Sequence, residues 1–379
     1  MDFELTESQE LFRQAARDIA DREIAPGAAK TDELAAFPRE TVAKLGELGF
    51  MGVMVPQEYG GAGADAVSYV LAVEEISRAC ASTGVIMSVN NSLYCAPVLR
   101  FGTEEQKRRF LVPVASGRAQ GCFCLSEPNA GTDAANQQTR ARRDGEAYVL
   151  NGSKNFITNG LEADFAIMFA QLDPAKGHKG ITAFLVERGI PGFSVSKVEK
   201  KLGIRGSSCC QLLLEDVRVP AENRLGAEGE GFRVALGTLD GGRIGIASQA
   251  VGIARAAFDA SLAYARERRQ FGQPIAKFQA IQFMLADMAT EIEAAHLLTL
   301  RAAALKDRGA KYSKEASMAK LYASETAMRA TTKGIQVHGG YGYLKDFPVE
   351  RYFRDAKVTE IYEGTSEAQR MVIAKALLG

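Results

Sequence analysis

Apolar positions along the chain follow two different periods, and the switch between them divides it into three zones. From Thr6 to about Gly121, stretches such as ESQELFRQAARDIADREIAP, DAVSYVLAVEEISRACAS and TEEQKRRFLVPVAS carry helical spacing. Thr103 with Gln106 forms a capping box that opens one of these helices. Between Cys122 and Arg233 the pieces become short and β-rich, as in FAIMFAQL, GITAFLVE and CCQLLLEDVRV. Asp144-Gly145, Asn151-Gly152 and Asn159-Gly160 supply the positive φ angles of tight hairpins, which predicts meandering antiparallel strands. After Gly241 the helical period returns: Ile281, Leu285, Met288, Ile292 and Ala295 lie on one face, and Leu321, Met328 and Ile335 recur at heptad spacing. Long helices with such stripes pack as a bundle. The pattern predicts an α+β chain with a helical N-terminal domain over 1–121, an antiparallel β domain over 122–232 and a helical bundle domain over 233–379.

Composition narrows the partners. Lys plus Arg equals Asp plus Glu at 46 each, so no overall field favours nucleic acid or an anionic membrane surface. No apolar run is long enough for a membrane span, and MDFELTESQE lacks a basic then apolar export signal; the chain reads as a soluble intracellular protein. The six cysteines form no CxxC pair and read as buried reduced thiols. His178, His296 and His338 stand apart without ligand spacing, so no metal is assigned, and His296 reads as a core or interface residue. No internal repeat or low-complexity linker is present.

Several motifs allow two readings. Gly61-Ala62-Gly63-Ala64-Asp65-Ala66 has the form GxGxxA, but Pro56-Gln57-Glu58-Tyr59-Gly60 separates it from the preceding apolar run and no repeated βαβ pattern surrounds it, which excludes a nicotinamide fingerprint. The stretch from Cys122 to Asp133, CFCLSEPNAGTD, is a strand leaving into a loop of small and hydroxyl residues. That is either an ordinary strand exit or a loop whose amides and hydroxyls meet a polar ring or phosphate. Arg268-Arg269-Gln270-Phe271-Gly272 closes a long helix and either satisfies its dipole or clamps a pyrophosphate. Gln336-Val337-His338-Gly339-Gly340-Tyr341-Gly342 follows another helix, as a C-cap or as a close approach to a ligand. Near the C-terminus, in EIYEGTSEAQR, Ser366 and Gln369 have capping-box spacing, so the last helix opens near Ser366 and Glu363 lies on the turn before it. On these letters alone Glu363 is an acid at the positive end of a helix dipole.

Taken in order, LSEPNAGTD, YVLNGSKNFITN, KLGIRGSS, LDGGRIGIASQAVGIA, ERRQFG, IQVHGGYGY, RDAKVTEIYEGTSE and the N-terminal PQEYGGAG resemble the acyl-CoA dehydrogenase family, nearest its short-chain (butyryl-CoA) branch, over essentially the whole chain. The resemblance implies the family fold of helical N-terminal domain, middle β domain and C-terminal four-helix bundle, and FAD bound without a Rossmann fingerprint. It implies that Phe123, Leu125, Ser126 and Thr132 of one loop, with Phe156, Ile157 and Thr158, hold the flavin. Phe156 stands where many relatives carry tryptophan. Arg268, Gln270, Phe271, Gln279, Gln336, Val337, Gly339 and Gly340 are implied to contact the dinucleotide of a neighbouring subunit, which makes a homotetramer part of the cofactor site. Thr365 and Glu367 would meet its phosphate or ribose. Thr132, Asp240, Arg243, Tyr362 and Gly364 match substrate-contacting positions.

By the same resemblance Glu363 is the catalytic base. It would remove the α proton of an acyl thioester while the β-hydrogen leaves as hydride to the flavin, giving a trans-2-enoyl-CoA. An apolar acyl chain closing over the carboxylate should raise its pKa towards that of the substrate. Relatives that place the base on a bundle helix do so where this chain has Gly242, which cannot act. Thr83-Gly84-Val85-Ile86-Met87 occupies the acyl-pocket stretch and carries no charge, and SVNNSLY also looks like the short-chain branch, so a C4 acyl-CoA is expected. Asn129 and Gln270 depart from the usual glycine and threonine. Electron-transfer flavoprotein is the expected acceptor, and the location is cytoplasmic in a prokaryote or the mitochondrial matrix for a processed eukaryotic chain. Other readings are a short branched-chain acyl-CoA dehydrogenase, an acyl-CoA oxidase, or a non-catalytic acyl-CoA-binding scaffold, which would have lost the base or the flavin contacts.

Overall fold

The computed structural model describes residues 4–379, so the first three residues of MDFELTESQE lie outside it. The N-terminal zone is helical: α1 (Glu7–Ile19), α2 (Ala28–Leu34), α3 (Arg39–Glu47), α4 (Ala66–Ala79), α5 (Ala81–Ser88), α6 (Ala96–Phe101), α7 (Glu104–Gln106) and α8 (Val112–Ala115). The predicted Thr103–Gln106 capping box is present, with the hydroxyl and the amide side chain each bonded to the other's backbone. The GxGxxA segment follows short 3₁₀ turns, Phe50–Gly52 and Gln57–Tyr59, with no strand before it among the described residues.

The middle zone forms one sheet from β1 (Gly121–Cys124), β2 (Arg140–Asp144), β3 (Ala147–Thr158), β4 (Phe165–Gln171), β5 (Ile181–Glu187), β6 (Phe193–Val198), β7 (Cys209–Pro220) and β8 (Arg224–Leu225). The strand order is β6-β7-β3-β2-β4-β5-β8, with β1 beside β4. Most pairings are antiparallel, as expected, but β1 runs parallel to β4 and β2 meets β4 in parallel at Arg140 and Gln171. Asp144-Gly145 turns the β2–β3 hairpin. Asn151-Gly152 does not turn the chain: it sits inside β3, where Gly152 marks a bulge against β7.

Side chains alternate across this sheet. Phe123, Ile167, Phe169 and Leu185 enter a core shared with α4, with the long helix α9 (Gly231–Glu267) and with α10 (Gln279–Asp307) and α11 (Ser313–His338). Cys122, Cys124, Ala166, Met168, Phe184 and Val186 face the other way, into a core completed by β3 and β7. The three zones of the sequence are therefore welded along one apolar interior. Five cysteines are buried, Cys209 is partly so, and all are free thiols. His296 bonds Glu74 at 2.8 Å.

The C-terminal bundle is α9, α10 and α11, closed by α12 (Val349–Lys357) and α13 (Ser366–Leu378). Met288, Ile292 and Ala295 of α10 are buried as the period predicts. On α11 the heptad residues Leu321, Met328 and Ile335 are only half-buried. The face that enters the core carries Ala316, Ala319, Ala323, Ala327 and Ala330 instead, because α9 opposite it is also built of small residues and the two backbones approach closely. Gln336, Val337 and His338 complete the last turn of α11, and the chain leaves it only at Gly339. Among the described residues no helix is long and apolar enough to cross a membrane.

Candidate active site

The last helix opens at Ser366, where it was expected, but Ser366 and Gln369 do not form its cap. Thr365 is the N-cap, accepting from the Ala368 amide at 3.2 Å, and Ser366 is the first helical residue. The Gln369 side chain is turned back instead, donating to the carbonyls of Glu363 at 3.2 Å and Gly364 at 2.9 Å. These bonds stabilise a turn in which Glu363 has φ of 52° and Gly364 of 93°. Such a φ is natural for Gly364 and costs on the order of 1 kcal/mol for Glu363.

That turn drives Glu363 into the bundle. Both carboxylate oxygens are closed from solvent and neither has a hydrogen-bond partner, although the residue as a whole is only partly buried. The carboxylate lies against the α9 backbone at Gly242: a Cβ there would overlap Oε2 and come within 2.8 Å of Leu93 Cδ2. The glycine that cannot be a base is thus the space the candidate base occupies. Burial pushes the Glu363 carboxyl up to about 8, with Lys320 and Arg243 pulling back against it. The protein alone already achieves the upward shift that the sequence reading attributed to substrate closure. The Glu363 amide N–H has no acceptor among the described residues.

Arg243 lies one residue along α9, buried, bonded to Asp240 at 2.7 Å and to Ser317 at 3.3 Å, and Asp240 also accepts from Ser313 at 2.8 Å. The Tyr362 hydroxyl is taken by Gln249, whose amide donates to the Ala81 carbonyl at 2.9 Å, so Tyr362 anchors the turn to α9 and α5. Thr83 to Met87 are buried in α5.

The flavin candidates gather where β1 leaves the sheet. Ser126 accepts at its carbonyl from the Asn155 amide at 2.9 Å, which ties the loop to a second bulge in β3. In that bulge Phe156 takes φ of 58° and stands 64% exposed, as a bulge that re-aims a side chain allows. Thr158 is half-buried and Thr132 exposed, whereas Phe123, Leu125 and Ile157 are buried, Phe123 packing edge-on to Phe169. Those three offer a ligand mainly their backbone. A buried ion pair that sequence reading missed holds this loop: Lys154 Nζ lies 2.8 Å from Glu127, 3.0 Å from Gln137 and 3.4 Å from the Leu125 carbonyl, while Glu127 accepts from the Gln138 and Thr139 amides. Burial alone would raise Glu127, but Lys154 and these amides hold it below its ordinary value. Its signal was a lysine at a buried position of a strand.

Arg268, Gln270, Val337, Gly339 and Gly340 come together at the far end of the bundle. With Tyr264, Ile275, His338, Tyr341 and Leu344 they line a cleft of about 490 Å³. The Arg268 guanidinium lies 5.2 Å over the Tyr341 ring. Phe271 tips the adjacent hairpin, φ 49° and 93% exposed, and Gln279 and Gln336 are exposed nearby on α10 and α11. At a rise of 1.5 Å per residue along α9, this cleft is roughly 40 Å from Gly242, so the two groups of candidates do not converge within one chain. Thr365 and Glu367 lie with Glu363, Glu367 exposed in the first turn of α13 and held below its ordinary value by its own amide and Thr365.

This geometry fits a flavin enzyme: a hydroxyl-bearing loop with an outward aromatic, and a partnerless buried carboxylate beside open helix-terminal donors. Models of the acyl-CoA dehydrogenase N-terminal, middle and C-terminal domains match residues 6–118, 122–217 and 229–378, and the chain belongs to the acyl-CoA dehydrogenase family. It is an oxidoreductase whose cofactor is FAD. A short-chain specific acyl-CoA dehydrogenase of Clostridium acetobutylicum is 54% identical over 374 residues, 99% of each chain. Butyryl-CoA dehydrogenase from Megasphaera elsdenii superposes with a TM-score of 0.98 at 48% identity over the whole of both chains. A chain from the structure described as the electron transferring flavoprotein of Acidaminococcus fermentans gives 0.99 at 52%, again over the whole of both.

Proposed function

We propose that this enzyme desaturates a short, uncharged acyl-CoA, four carbons long, to its trans-2-enoyl thioester, with Glu363 taking the α proton. The observation that carries this is the Glu363 carboxylate, dry and without a partner, on a strained turn against Gly242. A carboxylate bonded within the protein would have to break that bond before accepting a proton; this one does not. Raising it to about 8 brings its basicity towards that of a carbon acid activated by a thioester. The unpaired Glu363 amide is suited to the thioester oxygen, where negative charge grows as the proton leaves. FAD, when bound, would supply the acceptor for the β-hydrogen and its electron pair.

Ser126, Thr158 and Phe156 would hold the flavin ring, with Phe123, Leu125, Thr132 and Ile157 shaping its loop and Thr365 and Glu367 at the α13 N-terminus. Arg268, Gln270, Phe271, Gln279, Gln336, Val337, Gly339 and Gly340 would serve the dinucleotide of a second copy, since their cleft is too far from the Glu363 of their own chain. A homotetramer supplies that copy. Asp240 and Arg243, locked together, would line the thioester and pantetheine side, with Thr132 and the Gly364 backbone, while Tyr362 fixes the wall beside the base. The uncharged, buried stretch from Thr83 to Met87 suits a short apolar tail, as do the short-chain and butyryl-CoA names of the relatives. Electron-transfer flavoprotein is the proposed acceptor, in the cytoplasm of a prokaryote or in the mitochondrial matrix.

Anaerobic bleaching of the flavin against C3 to C12 acyl-CoAs, with isobutyryl, 2-methylbutyryl, isovaleryl and glutaryl thioesters included, tests the substrate, and fastest reduction is expected with butyryl-CoA. Glu363→Gln is expected to slow that reduction by at least 10³-fold, roughly the upper range for loss of a general base. Retention of the rate would remove the assignment.

A further inference from the structure

Lys320 is a buried cation that neither the sequence reading nor the proposed mechanism uses. It sits on the small-residue face of α11 between Ala319 and Ala323, with no exposed surface. Its Nζ donates to the Gly364 carbonyl at 2.7 Å, and no carboxylate among the described residues forms an ion pair with it. A buried ammonium without a carboxylate in contact is expensive to keep, and its one bond falls on the residue after Glu363. Gln369 shares that carbonyl and also holds the one before it. Two side chains reaching out of the packed helices thus clamp consecutive carbonyls of the turn in which Glu363 holds φ of 52°, unfavourable for a glutamate.

From this geometry we infer that Lys320 is a positioning residue for the proton-abstracting carboxylate: it fixes the Gly364 carbonyl so that Glu363 stays in its strained, inward conformation, and its ammonium, while protonated, favours the ionised acid. The inference rests on Glu363 being the base. The charged groups facing Lys320 are Glu363, Arg243 from α9, and Glu360 and Glu367 from the terminal segment. Those facing Glu363 are Lys320 from α11 and Arg243 from α9, with the Tyr69 hydroxyl of α4 and that of Tyr362 also close. Arg243 is itself engaged by Asp240, which leaves Lys320 as the cation uncommitted to another acid. Consistently, Lys320 pulls Glu363 back down against burial more strongly than Arg243 does.

The test uses FAD-loaded enzyme and two readouts. One is the pH profile of single-turnover flavin reduction by butyryl-CoA. The other, independent of turnover, is the infrared band of a protonated buried carboxyl, identified by its absence in Glu363→Gln and titrated without substrate. Lys320→Met should lower the reduction rate at pH 7 by at least tenfold and move both midpoints upward by one pH unit or more, and Lys320→Arg should bring the midpoint back towards the parent value. If Lys320→Met gives no folded enzyme, Lys320→Gln, which retains a donor but not the charge, is expected to show the same upward midpoint. Unmoved midpoints in a folded variant overturn the inference. If Glu363→Gln retains the reduction rate, the base assignment fails instead, so the two failures are told apart.

Discussion

Gly242→Ala adds one methyl group at the point where α9 touches the candidate base. The new Cβ would overlap Glu363 Oε2, with Glu363 Cδ at 3.0 Å and Leu93 Cδ2 at 2.8 Å, where ordinary contact begins at 3.4 Å. Leu93 is itself buried, so relief comes from the carboxylate, which must move by about 1 Å or more. A misplacement of about 1 Å in a reacting group costs on the order of 10²-fold in rate. The fold should feel far less: alanine is favoured over glycine in a helix interior by about 0.5–1 kcal/mol, against about 1–3 kcal/mol for overpacking. The expected result is thermal stability within roughly 2 kcal/mol of the parent, full FAD content, and single-turnover flavin reduction slowed about a hundredfold. Stopped-flow flavin absorbance with butyryl-CoA, beside a thermal melt, measures both. A reduction rate within twofold of the parent would mean that the position of this carboxylate does not govern the chemistry.

Four further outcomes follow from the same geometry. Lys154→Met leaves Glu127 buried without its cation, so a loss of about 3–5 kcal/mol and a lowered FAD content after gel filtration are expected; Glu127→Gln added to it should recover part of both. Because the folded Glu363 carboxyl lies at about 8, above its ordinary 4.5, ionising it in the native state opposes folding, and the parent loses stability as pH rises from 4.5 to 8. Glu363→Gln should therefore be the more stable protein at pH 8, by on the order of 4 kcal/mol, with the gap closing towards pH 4.5 in a melt series. Arg268→Ala should weaken FAD retention about tenfold and shift sedimentation towards smaller species if the cleft serves a neighbouring copy. Flavin reduction below pH 7 should fall by about tenfold per pH unit in free enzyme, following the ionised fraction of Glu363.

The order and type of the elements were legible because the signals are local. The Thr103 capping box, the Asp144-Gly145 turn and the α10 stripe each depend on residues within a turn or two of one another. The same reasoning placed the start of α13 but misassigned its cap, because a neighbouring threonine could cap the helix as well as Ser366, and Gln369 found acceptors in the turn behind it. It misread Asn151-Gly152 as a turn because a glycine serves a bulge as readily as a hairpin, although Gly152 takes φ of 146° and the hairpin Gly145 61°. It overlooked Lys320, although a lysine in an alanine stripe was visible, since nothing local says which carbonyl will arrive there.

The sequence by itself determined that Glu363 stands on a glycine-bearing turn before a helix, in an order of motifs shared with acyl-CoA dehydrogenases. Only the tertiary structure decided that its oxygens are dry, that α9 leaves them room at Gly242, and that Lys320 and Arg243 are the cations in range. The physical reason is one of distance: caps, turns and periods arise between near neighbours along the chain. Desolvation and charge coupling depend on what packing brings from elsewhere in the chain and on the water it excludes.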